Sequence, residues 1–221
     1  MASECPHHKL RSDLPELTAR IAALPVDARG YPIPFFVGYV DGQPEFRMAD
    51  GHKFTRCVKE RLCWVCGQPL GSFMCFPIGP MCAVNQTTAE PPSHKECAEW
   101  SVRGCPFLAK PQMVRRTDDK IEQLKAENPS AGIPIDRNPG VTCLWTTKSY
   151  QLFPDGAGGR LFKIGPMISV SWWREGRPAT RDEVIHSVNT GLPRLQEFCF
   201  SEGDRLLLKQ HLQAASLLYP L

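Results

Sequence analysis

Two short motifs in this 221-residue sequence have residue types and spacing suited to joint chemistry: Cys63-Trp-Val-Cys66-Gly67 and His94-Lys-Glu-Cys97. Thiolates two residues apart can grip one ion in a tight knuckle, and the glycine after them permits the turn in which the backbone approaches the sulfurs. Ser93 and Glu96 have capping-box spacing, which predicts a helix running to about Val102 with His94 and Cys97 on one face of its first turn. The positive end of that helix favours thiolate at Cys97, and a bound ion holds His94 neutral as a ligand. Three thiolates and one imidazole make a closed tetrahedral set, the preference of structural Zn2+, with no position left for a catalytic water. Such soft ligands exclude magnesium and calcium. The alternative is a set of free buried thiols and a surface histidine.

Cys82 and Cys105 could serve as alternative ligands, although for them, as for Cys57 and Cys75, a small buried hydrophobe is the commoner role. Seven of the ten cysteines lie between Cys57 and Cys105. In a reducing compartment such clustering points to metal before disulfides. Cys5, His7 and His8 sit in a terminal arm that could lend a ligand, although a disordered terminus is the simpler account.

These ligands need a scaffold, and the composition is that of a globular domain: 42% hydrophobic, 22% charged, net charge +3. No run approaches the ~18 apolar residues of a membrane helix, and no apolar leader follows Met1, so a cytoplasmic protein without a membrane partner is expected. The 21 prolines argue for short elements and against a helical bundle or a long parallel sheet.

Leu14, Leu17, Ile21 and Leu24 predict a three-turn amphipathic helix after Ser12 or Asp13. Tyr31–Val40 and Gln43–Met48, split by Asp41-Gly42, predict a hairpin. Asp50 is placed to cap a helix from Gly51 to Leu62. Leu70–Gly79 predicts a short hairpin between the two ligand pairs. Val114–Glu127 reads as a polar helix followed by a loop over 128–140. Val141–Tyr150 and Leu161–Trp173 predict a second hairpin. Thr180 with Glu183 caps a helix that Gly191 ends, helical pattern resumes over Leu192–Phe200, and Ser201 caps a last helix. Three segments emerge: 1–62, 63–127 and 141–221, with 128–140 as the one plausible boundary, unless the last segment forms one compact unit with the rest.

Knuckle, hairpin, and a helix carrying the last ligands resemble a treble-clef zinc finger in spacing and order. The fold class expected is therefore α+β, a treble-clef centre flanked by β-hairpins and short helices. More broadly, RGYPIPFFVGYVDGQPEFR, RLCWVCGQPLG, IGPMCAVN, EPPSHKECAEW, CPFL and WWREGRPATRDEV are similar to an uncharacterised family of bacterial, prophage and phage reading frames. That resemblance implies such an origin and no substrate.

Treble-clef scaffolds also host HNH-type nucleases, but His52, His94, His186 and His211 do not supply the histidine base after Asp or His on a strand. Walker, GxGxxG and GxSxG motifs are missing from the sequence. From Arg56 to Arg116 eight lysines and arginines face four acids. Lys95, Arg103, Lys110, Arg115 and Arg116 could therefore touch phosphates, or form an ordinary solvated face. Trp172, Trp173, Arg174, Arg177 and Arg181 make a second candidate surface, with one tryptophan expected in the core. The function these features point to is a zinc-stabilised, non-enzymatic binding or adaptor protein that contacts nucleic acid or protein. The alternative is a metal-dependent hydrolase or nuclease.

Overall fold

The computed structural model describes residues 9–109, 131–132 and 139–221. Cys5, His7, His8, Lys110, Arg115, Arg116 and the expected helix over 114–127 lie outside these residues. The predicted N-terminal helix is reduced to one turn, α1 (Ala19–Ala22), capped by the Thr18 hydroxyl. Pro15 biases Leu14 away from helical backbone and moves the start downstream. The apolar pattern still serves packing, because Leu14, Leu17, Ile21 and Leu24 join one cluster with Cys63, Val65, Cys97 and Trp100.

The Asp41-Gly42 hairpin forms as expected between β1 (Val37–Val40) and β2 (Gln43–Ala49), with both turn residues at positive φ. Asp50 accepts from the amides of His52 and Lys53 and starts α2 (Gly51–Glu60), which ends with Arg61 in the left-handed region. This helix delivers the chain to Cys63.

No local hairpin forms over 70–79. The single strand there, β3 (Met74–Ile78), pairs with β5 (Thr142–Thr147), and its one short-range partner is an isolated bridge from Cys75 to Ser93. Between them lie α3 (Pro80–Asn85) and β4 (Thr87–Thr88), and after Ser93 come α4 (Lys95–Gly104) and α5 (Pro106–Ala109). Pro80 opens α3, which carries the chain away from β3 before a local return strand can pair along it.

The second predicted hairpin exists but is folded across its own middle. Its tip, β6 (Tyr150–Pro154) with β7 (Arg160–Ile164), joins β4 in one antiparallel sheet. Its base, β5 with β8 (Met167–Arg174), joins β3 and β9 (Arg177–Pro178) in another. The corner falls at Ser149 and Gly165, where a Cβ on Gly165 would overlap the Ser149 carbonyl and hydroxyl. Gly165→Ala is therefore expected to lower stability by about 1–3 kcal/mol, the usual cost of overpacking. Denaturant unfolding checks this against Gly71→Ala, where a Cβ meets open space.

Strands from 63–127 and from 141–221 thus share both larger sheets, and one core holds Phe76, Met81, Trp145, Phe162, Trp172 and Val184. The Thr180–Glu183 capping box begins α6 (Arg181–Gln196). Gly191 does not end it: that residue is buried within the helix, and Pro193 is tolerated four residues before the last turn closes. The carbonyl to which Pro193 has no N–H to donate belongs to solvent-exposed Asn189. The two helices expected over 181–200 are therefore one. Ser201, in a reciprocal box with Asp204, caps α7 (Glu202–Ser216). The whole is a mixture of helices and antiparallel sheets, the α+β class.

Candidate metal centre

Local backbone bonds build the first half-site. The Cys63 amide donates to the Gln68 carbonyl at 2.8 Å and the Gly67 amide to the Cys63 carbonyl at 2.8 Å, which closes the knuckle. Gly67 has φ +70 and lies against the Phe35 ring, which a Cβ would overlap at 2.6 Å, so glycine is required twice over.

The second half-site is placed by the strand before it. Cys75 and Ser93 exchange both backbone hydrogen bonds at 2.8 Å, and the Trp64 amide donates to the Pro92 carbonyl at 3.1 Å. Residues 92 and 93 are thereby fixed to β3 and to the knuckle at once. The expected capping box is not formed: His94 itself is the N-cap of α4, in extended backbone, and the buried Ser93 hydroxyl has no hydrogen-bond partner. Ser93 cannot cap because its backbone is committed to the bridge. Cys97 lies in the first turn as predicted.

The ligand atoms of Cys63, Cys66, His94 and Cys97 converge, all within 4.8 Å of one another. His94 Nδ1 lies 3.3 Å from Cys66 Sγ and 3.9 Å from Cys97 Sγ. Zinc bonds of about 2.3 Å to sulfur and about 2.0–2.1 Å to nitrogen give tetrahedral edges of about 3.5–3.8 Å, which the two His94 distances bracket, so an ion fits once the widest ligand pair closes by up to about 1 Å. His94 Nε2 meets the Pro69 carbonyl at 3.0 Å. With a proton on Nε2, that contact leaves Nδ1 unprotonated and aimed at the sulfurs, the usual outer-shell arrangement for a metal-bound histidine.

Cys63 Sγ accepts from the amides of Cys66 at 3.4 Å and His94 at 3.3 Å. Hydrogen bonds from Cys66 and Cys97, then these amides, hold the Cys63 thiol far below its ordinary range. The same network, led by Cys63, pushes Cys97 far up and Cys66 up. A divalent cation held between the three sulfurs would favour their joint ionisation.

Cys82 and Cys105 are not part of this group. Cys82 packs on the main core, where burial raises its thiol to about 11, and Cys105 caps the end of α4 with a thiol also raised by burial. Cys57 and Cys75 are buried, as expected, with thiols pushed up to about 12.

The two candidate contact surfaces meet. The Arg103 guanidinium lies 5.0 Å from the centre of the Trp173 ring, and a Cβ on Gly176 would sit 3.6 Å from Arg103 Cα. Trp172 is the core tryptophan, its indole N–H donating to the Leu218 carbonyl at 2.9 Å. Arg174 and Arg177 pair with Glu183, whose carboxyl Arg177 above all holds down at about 2. Arg181 donates to the Pro220 carbonyl, and Lys95 lies 3.8 Å from Glu99. Much of the predicted arginine surface is therefore internally compensated.

Sequence spacing gave no sign of Arg20, which reaches Glu96 and Gln68 across 76 and 48 residues. A lone arginine in a short amphipathic stretch carries no signal for such a contact. Compared with known protein families, curated proteins and solved structures, the chain matches none.

Proposed function

We propose that the chain is a zinc-stabilised, non-enzymatic binding protein whose metal centre stiffens a surface that meets nucleic acid. The carrying observation is the convergence of four protein ligand atoms, three thiols and one imidazole, within 4.8 Å. Four protein ligands fill a tetrahedral ion and leave no place for an activated water. Zinc suits this donor set best. The order of knuckle, β3 and a helix with Cys97 in its first turn supports a treble-clef reading, with the Cys75–Ser93 bridge standing where a hairpin arm would run. Free cysteines throughout the described residues support a reducing, cytoplasmic setting, and the motifs quoted above support membership of the bacterial and phage family they resemble.

Nucleic acid is favoured because the Arg103 guanidinium stacks on the Trp173 ring, which brings a cation of α4 against the aromatic of the second candidate surface. Titration with DNA and RNA at two salt concentrations should show affinity that falls steeply with salt. Arg103→Ala should weaken it several-fold, as loss of one phosphate contact does. No affinity at low salt removes the nucleic-acid reading and leaves a protein partner. The hydrolase or nuclease alternative requires an open metal position. Cobalt(II)-substituted protein should keep its visible spectrum when azide is added, whereas a shift would favour hydrolysis.

A further inference from the structure

We propose that Arg20 is the counter-cation of the metal centre, fastening the N-terminal segment over it and setting how tightly the ion is held. The inference rests on the zinc reading above. Arg20 Nε donates to Glu96 Oε1 at 2.6 Å, and Nη1 donates to the Gln68 side-chain oxygen. Glu96 precedes the ligand Cys97 in the first turn of α4. Gln68 follows Cys66 by two residues, and its carbonyl accepts from the Cys63 amide. One guanidinium thus ties together the two chain segments that bear the ligands, using the fork geometry that only arginine offers.

Charge points the same way. A zinc ion with three thiolates and a neutral imidazole carries a net charge of −1, and the nearby Glu96 carboxylate adds another. Arg20 is positive beside both: Glu96 favours its charged form most, and Cys66 and Cys97 add to that. Lys95, the cation in the first turn of α4 itself, lies instead toward Glu99. The residue after Arg20, Ile21, is 1% exposed and packs in the cluster that includes Cys63 and Cys97. The single turn of α1 therefore covers the centre with Ile21 and compensates it with Arg20. About a third of the Arg20 side chain remains in contact with solvent, which weakens the charge effect without removing it.

The test uses the full, zinc-loaded chain. Metal analysis of the wild type comes first: fewer than one zinc per chain would bring down the zinc reading itself, independently of Arg20. Zinc release to a chromogenic chelator and alkylation of the ligand thiols are then timed for Arg20→Lys, Arg20→Gln, Arg20→Ala and Arg20→Glu. Arg20→Ala should release zinc about 10-fold faster, the lower end for loss of an outer-shell partner. Arg20→Glu should be faster still, Arg20→Gln should resemble Ala despite keeping hydrogen-bond donors, and Arg20→Lys should fall nearest wild type. High salt should narrow these gaps, because the group is part-exposed and screened. Wild-type release rates in both Ala and Glu variants would overturn the proposal. So would equal acceleration in all four variants, independent of salt, which marks a packing role without a charge role.

Discussion

A Cys63→Ser, Cys66→Ser variant is expected to lose its zinc and, with it, the cooperative unfolding of the middle segment. Structural zinc binding in small sites is worth about 10–16 kcal/mol near neutral pH, which rivals the whole stability of a typical domain at about 5–15 kcal/mol. The two half-sites here are far apart in sequence. They are joined by the Cys75–Ser93 bridge and the Trp64–Pro92 hydrogen bond, and the buried cluster around Cys63 and Cys97 closes over them. Removing two ligands leaves the partners buried around too few donors for an ion. Wild type should carry close to one zinc per chain, and the variant close to none. Acid should release the ion as well, since every ligand must be deprotonated to bind. Unchanged melting and full solubility of the metal-free variant would contradict this account.

The second large effect belongs to the other core. Phe162 is fully buried, with its ring centre 5.1 Å from Tyr150, 6.0 Å from Phe76 and 6.0 Å from Phe54. It sits on the central strand of the three-stranded sheet, opposite Thr88 on one side and Leu152 on the other. Phe162→Ala should cost about 3–5 kcal/mol, the transfer loss plus the cavity left among rings that cannot collapse. In a chain of this size that corresponds to a fall in Tm of about 6–20 °C. Zinc content should remain at one per chain, because the metal centre packs in a separate cluster. A fall in Tm below about 2 °C would show that the rings close over the gap.

The ligand pairs were legible because both are local patterns: two residues intervene between Cys63 and Cys66, and two between His94 and Cys97. The hairpin turn at Asp41-Gly42, the Asp50 cap and the boxes at Thr180 and Ser201 were legible for the same reason. What failed depended on distant partners. Ser93 has the right spacing from Glu96 to cap α4, but its backbone is taken by Cys75, eighteen residues earlier in the chain. Leu70–Gly79 has the composition of a hairpin, yet Met74–Ile78 finds its partner at Thr142–Thr147. Gly191 has the signature of a helix stop, but it is buried, where a small residue lets the helix pack and continue. Arg20 illustrates the limit most clearly, since nothing within ten residues of it hints at Glu96 or Gln68.

The long-range pairing of β3 with β5 also bears on how the chain is born. Sixty-three residues separate Ile78 from Thr142, so at about 5–20 residues per second a ribosome needs about 3–13 s to supply the second strand after the first is made. Throughout that interval one side of Met74–Ile78 is an unpaired, mostly apolar edge of the kind that recruits neighbouring nascent chains. Cys97 is synthesised well before Thr142, so capture of the ion can anchor the nascent segment early. Starving cells of zinc during expression should therefore shift newly made protein into inclusion bodies.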